Sequence, residues 1–181
     1  MEYSIAAYEL KSIAKGVEAA DAALKSANVK LVSAQPVCPG KFEIFLAGPL
    51  SDVKAASDRI DREFGEFLID SVQIGRIDQS VAKALLGALP QPTLDALGSI
   101  ETFTAASTIM AADAAVKSAC VSILELRIAR GMGGKGYVSF TGAAADTPAA
   151  IEAGSASAKR QGTFVASSFI AAPHRELWNL L

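Results

Sequence analysis

The chain has 181 residues, of which 51% are hydrophobic and 20% charged, with a formal net charge of -2. That balance, with a mean hydropathy of +0.31, describes a packed globular protein and excludes both a disordered chain and the basic stripe that nucleic-acid binding needs. Two cysteines are too few for a disulfide framework, the N-terminal stretch MEYSIAAYELKS lacks a signal-peptide pattern, and the most apolar helix candidate, AASTIMAADAAVKSA, is broken by Asp113 and Lys117.

In chain order, a strand is predicted over Ser4–Leu10 and a helix over Ile13–Ser26. On that helix Ala19, Ala20, Ala23, Leu24 and Ala27 recur at three- and four-residue spacing. A strand over 29–37 and the turn PVCPGK follow, then a strand in which Phe42, Ile44 and Leu46 alternate with other residues. Ser51-Asp52 is expected to cap a helix that reaches Phe64. Leu68, Val72 and Ile74 mark a fourth strand, and residues 79–89 a short helix. Leu89-Pro90-Gln91-Pro92 then stops the helix and opens a linker.

After the linker the pattern is written again. YELKSIAKGVEAADAALKSANV aligns without a gap to IETFTAASTIMAADAAVKSACV, with about half the positions from Glu9 to Val29 identical. Gly40-Lys41 matches Gly134-Lys135 after a two-residue insertion, Gly48 matches Gly142, Asp52 matches Asp146 and Ile74 matches Ile170. Thr147-Pro148 reads as an N-cap with proline at the first helical position. Pro173 is expected to open a last helix carrying Leu177, Trp178 and Leu181, a face to be packed on a sheet. Two α+β units of order β-α-β-β-α-β-α result, each an antiparallel sheet with helices on one side: residues 1–89, a linker over 90–96, and residues 97–181.

The two β-turns differ. The first, PVCPGKF, holds Cys38 between prolines. The second, ARGMGGKGY, is longer and glycine-rich. GMGGK lacks the spacing and the following Ser or Thr of a phosphate loop, so nucleotide binding is not expected. Its glycines suit a second bare turn, where Arg130 and Lys135 are either anion-favouring or merely solvated charges. Cys120, beside Val121, is expected to be a buried small hydrophobe. His174 is the single histidine and is read as a helix-start or interface residue. Glu9 and Asp21, each with a copy in the other unit, fit scaffold roles such as caps or edge pairs. With no Ser-His-Asp or Cys-His set to assemble, an enzyme is not expected.

The sequence Asp21-Ala-Ala-Leu-Lys25-Ser-Ala-Asn-Val29, echoed by Asp113-Ala-Ala-Val-Lys117-Ser-Ala-Cys-Val121 in register with the Gly-Lys turns, resembles the bacterial microcompartment shell proteins of the tandem-domain, trimer-forming type. Glu9-Leu-Lys-Ser-Ile-Ala-Lys-Gly16 and Pro173-His174 fit the same family, and the resemblance covers essentially the whole chain. It implies two shell-type domains, a ferredoxin-like variant, in a homotrimer that is pseudohexameric. It places Pro39, Gly40, Met132, Gly133 and Gly134 along a central pore, and Lys25, Lys117 and Arg76 at the lateral edges. The second unit has no arginine at Ala171-Ala172-Pro173-His174 to match Arg76.

Cys38-Pro39-Gly40-Lys41 is similar to a subgroup typified by the T-type shell proteins of propanediol-utilisation compartments. That resemblance implies a [4Fe–4S] cluster shared by three subunits, held through Cys38 and serving electron transfer across the shell. A cluster of this kind takes thiolate ligands, and one thiol per chain supplies it only if three chains converge. The implied partners are other shell proteins and encapsulated or cytosolic redox proteins, in a cytoplasmic microcompartment shell, without nucleic acid or membrane. Two alternatives stay open: a shell trimer with a metal-free metabolite pore, and a cytosolic ligand-sensing trimer of tandem α+β units.

Overall fold

The computed structural model describes residues 4–89, 91, 93–129 and 131–178. The first repeat runs β1 (Ser4–Leu10), α1 (Ile13–Ser26), β2 (Lys30–Val37), β3 (Lys41–Gly48), α2 (Leu50–Phe64), a 3-10 turn (Gly65–Phe67), β4 (Leu68–Ile74) and α3 (Gln79–Leu85). The second runs β5 (Ala96–Thr102), α4 (Ala105–Ser118), β6 (Val121–Ile128), β7 (Gly136–Gly142), α5 (Thr147–Arg160), β8 (Phe164–Ile170) and α6 (Arg175–Trp178). The chain forms two compact units: Met1–Ile77 with the loop Ala129–Gly134, and Asp78–Ile128 with Lys135–Leu181. Helix α3, which follows β4 in the chain, packs within the second unit against α4 and β6.

Each unit holds a four-stranded antiparallel sheet, ordered β2-β3-β1-β4 in one and β6-β7-β5-β8 in the other. The duplication extends to irregularities. The register shifts between Glu9 and Leu10 against β4, and between Glu101 and Thr102 against β8. It shifts again at Leu31/Ser33 and at Ile123/Glu125. A shared bulge at equivalent positions keeps the same side chains on the same faces in both sheets.

Strand alternation sets the core of the first unit. Ala6, Tyr8 and Leu10 on β1 and Phe42, Ile44 and Leu46 on β3 share one face, covered by Ala19, Ala20 and Ala23 of α1 and by Val53, Ala56, Ile60 and Phe64 of α2. The alanines let α1 lie close, and Gly16 lets it closer still: a Cβ there would sit 2.4 Å from the Phe42 ring. In the second unit the equivalent pair is reversed. Thr108 stands where Gly16 does, and Gly136 where Phe42 does, with a Cβ on Gly136 falling 1.8 Å from Thr108 Oγ1. Each copy thus joins one glycine to one bulkier residue at the same helix–strand contact.

Several local expectations are corrected. Ser51-Asp52 does not cap α2; Pro49 occupies the N-cap with no side-chain bond, and Asp52 lies in the first turn, where its charge faces the helix dipole. The N-cap of α5 is Asp146, so Thr147 is the first helical residue and is buried, its hydroxyl donating to Ala143 O at 3.0 Å. Leu24 is not a core residue: it is 43% exposed. Cys120 is exposed in the bend before β6 instead of buried on the strand. The helix expected over 79–89 stops at Leu85. Pro90 and Pro92 of the linker, Arg130, Leu180 and Leu181 lie outside the described residues.

Tyr8 is 1% exposed, and burial first, with the charge of Asp61 adding to it, pushes its phenol up from 10.0 to about 12. The folded chain therefore holds the proton at a pH where the unfolded chain releases it. The stabilisation is complete below pH 10 and is lost as pH rises from 10 towards 12, by on the order of 2 kcal/mol. Urea unfolding across this window is expected to show the loss in the wild type, and Tyr8→Phe is expected to flatten it.

Candidate functional site

The hairpin between β2 and β3 closes on a hydrogen bond from Gly40 N to Val37 O at 2.9 Å. Gly40 has φ +101°, which an L side chain rarely adopts, so glycine is what permits the reversal. Val37 is buried and anchors the turn, while Cys38, Pro39 and Gly40 are exposed at its tip. The Cys38–Pro39 peptide is cis.

Beneath the tip is an ion pair that sequence reading left unassigned. Lys41 Nζ donates to Glu9 Oε2 at 3.0 Å, with the Lys41 side chain 15% and the Glu9 side chain 1% exposed. Glu43 faces Glu9 across the β1–β3 register and is itself buried. It accepts hydrogen bonds from Gln35 Nε2 and, at 3.3 Å, from Ser33 Oγ. Two buried carboxylates side by side need such donors, and Lys41 brings the balancing charge. The second unit repeats the pair as Lys135 Nζ to Glu101 Oε1 at 2.8 Å, in a wetter setting. The signal was in the alignment: Glu9 falls on Glu101, and Lys41 on Lys135. Charges repeated together across a duplication are partners.

The structure brings part of the expected pore set together. Gly134, from the second repeat's turn, lies in the first compact unit with φ +87°. A Cβ there would meet Cys38 O at 2.9 Å, Pro39 Cδ at 3.0 Å and Lys41 Nζ at 3.2 Å. The glycine loop therefore lies directly against the Cys38 turn, which only a residue without a side chain permits. Met132 is half-buried and Gly133 exposed on the same loop.

The residues expected at lateral edges are Lys25, Lys117 and Arg76. Lys25 and Lys117 end α1 and α4, and each pairs with the aspartate four residues earlier, Asp21 at 2.6 Å and Asp113 at 2.5 Å. Arg76 is exposed in the turn after β4. Among the described residues no group of three or more His, Cys, Asp or Glu is placed to hold a metal within one chain, and no helix is long and apolar enough to cross a membrane.

The chain is thus a tandem duplication of a four-stranded α+β unit, each copy carrying a hairpin turn. The chain belongs to the BMC-domain family, whose profile matches residues 4–77 and again 96–173. It is 39% identical over 178 residues to the bacterial microcompartment shell protein PduT of Citrobacter freundii, covering 98% of this chain and 97% of that one. The shell protein PduA of Salmonella typhimurium strain LT2 matches over 50 residues at 42% identity, 28% of this chain and 53% of that relative. The crystal structure of a microcompartment protein from Desulfitobacterium hafniense DCB superposes with a TM-score of 0.89 at 37% identity, over 99% of both chains. A fused, permuted hexameric shell protein from the RMM microcompartment shares the fold, with a TM-score of 0.65 at 24% identity over 86% of this chain and 81% of that one. The chain is a microcompartment shell protein with two tandem BMC domains.

Proposed function

We propose that this shell protein assembles as a pseudohexameric homotrimer whose three Cys38 thiolates hold a [4Fe–4S] cluster at the shared centre, for electron transfer across the shell. The observation that carries the reading is the placement of Cys38. It is an exposed thiol at the tip of a hairpin fixed by flanking prolines, by the Val37–Gly40 bond and by the Glu9–Lys41 pair below. One such thiol per chain fits the group only as one ligand of three. Three copies supply three thiolates and leave one iron for another ligand. When bound, the group supplies one-electron transfer. The chain's own part is to present the sulfur rigidly, with Pro36 and Pro39 leaving few conformations to lose. The protein serves as a structural and conducting component and not as a catalyst, beside other shell proteins and with redox proteins inside or outside the compartment as electron partners.

Anaerobic reconstitution with iron and sulfide tests this. The wild type is expected to retain roughly four irons per three chains, and Cys38→Ala to retain none while keeping its oligomeric mass. Full iron content in Cys38→Ala rejects the assignment. An iron-free wild-type trimer leaves a metal-free metabolite pore as the function of the turn.

A further inference from the structure

The two repeats fill the space between their second long helix and their edge strand differently. In the first unit Tyr8 reaches into it from β1, and its buried phenol lies beside Ser57 and Asp61 of α2 and Gln73 of β4. The duplication and the strand registers set Ile100 where Tyr8 stands, Ile151 at Ser57, Ser155 at Asp61 and Phe169 at Gln73. Tyr8 pairs with Ser71 across the sheet, and Ile100 with Ser167. Ile100 is shorter than Tyr8, and its tip packs on Gly154, the counterpart of Ile60, where a Cβ would sit 2.5 Å from Ile100 Cδ1. Among the described residues, no phenol lines the space between α5 and β8.

That space is an open cleft of about 410 Å³, within the size range of small-molecule sites. Pro148, Ile151 and Ala156 of α5 and Phe169 of β8 give it apolar walls. Phe169 is 43% exposed and presents a ring on which a second ring can stack. Ser155 lines the cleft, is 5% exposed, and its Oγ has no hydrogen-bond partner among the described residues. A buried hydroxyl without a partner is costly, and a ligand hydroxyl would supply one. Two exposed charges of opposite sign, Glu152 and Lys159, complete the lining, and the Lys159 ammonium sits over the Phe164 ring at 4.7 Å. That balance favours a neutral molecule over an ion.

We infer that the α5–β8 cleft binds a small neutral phenol, a free molecule that takes the place Tyr8 holds in the first unit, with its ring against Ile151 and Phe169 and its hydroxyl paired with Ser155. The first unit displays the chemistry that this frame encloses, since the same helix and strand positions surround a tyrosine side chain there. One copy of the frame keeps its own phenol, and the other lacks it. The replacement of Ser57 and Gln73 by Ile151 and Phe169 makes the second copy the more apolar host for a ring. The site lies wholly within the second unit and needs neither the trimer nor the cluster.

Saturation-transfer NMR titrations with p-cresol, the tyrosine side chain as a free molecule, test it. The wild type is expected to bind p-cresol saturably. Ser155→Ala is expected to weaken p-cresol binding about three- to tenfold, the share of one hydrogen bond, and to leave the binding of toluene, which has no hydroxyl, unchanged. Ile100→Tyr is expected to abolish the binding of both, because the chain then fills the cleft itself, as it does in the first unit. A wild type that does not bind p-cresol saturably overturns the inference. So does an unchanged p-cresol affinity, or an equal loss for both ligands, in Ser155→Ala. Binding that survives in a folded Ile100→Tyr protein places the ligand elsewhere and overturns it as well. If Ile100→Tyr fails to fold, the comparison of p-cresol with toluene in Ser155→Ala decides.

Discussion

Lys41→Met is expected to lower the unfolding free energy by about 3–5 kcal/mol, the usual cost of removing one member of a buried ion pair. The cost does not come from losing an attraction; it comes from leaving the carboxylate of Glu9 in a dry setting without its lysine. Glu9 is 1% exposed at its side chain and lies in register with a second buried carboxylate, Glu43. The protein contains its own control. Lys135 and Glu101 form the same pair in the second unit, but their side chains are 41% and 34% exposed. Water screens that pair, and Lys135→Met is expected to cost less than about 1 kcal/mol. Urea denaturation of the two variants measures the difference. Equal losses would show that burial does not govern the pair. Because Lys41 stands at the base of the Cys38 turn, the first variant is also expected to loosen the thiol's placement.

The second large effect is at the helix–strand contact that the two repeats build in opposite ways. Phe42→Gly removes a core ring and is expected to cost about 3–5 kcal/mol or more. Gly16→Thr drives a branched side chain into that ring and is expected to cost about 1–3 kcal/mol by overpacking. Made together, the two changes recreate the Thr108–Gly136 arrangement of the second unit. The double variant is therefore expected to be more stable than the sum of the single losses, by about 1–3 kcal/mol of coupling. Denaturation of the four proteins in the cycle measures it, and strict additivity would mean that the two positions do not share the space that the geometry assigns them.

Much of the fold was legible because the chain states it twice. The helix from Ile13 to Ser26 and the strand from Ser4 to Leu10 are bounded in the structure as their periodicity indicates. The repeated Asp-Lys spacing gave the alignment that carries the family. Errors fell where local chemistry is ambiguous. Ser51 and Asp52 are good cap residues, but Pro49 already sets the extended backbone before α2, so the helix starts earlier. Cys120 sits next to an apolar strand, yet the bend at Ala119–Cys120 leaves it outside. Leu24 obeys helical spacing but falls on an exposed stripe of α1. Sequence periodicity reports that a face is apolar, not whether the chain covers it. The turn itself was legible as a thiol between prolines; the glycine loop lying against it was not, since that contact joins residues nearly a hundred positions apart.

The most direct test of the central claim is iron-edge anomalous scattering from crystals of the wild-type protein grown without oxygen. One compact iron feature is expected on a threefold axis, bounded by the sulfurs of three Cys38 side chains. Three Cys38 sulfurs remote from one another, or converged sulfurs with no iron between them after reconstitution, would contradict it.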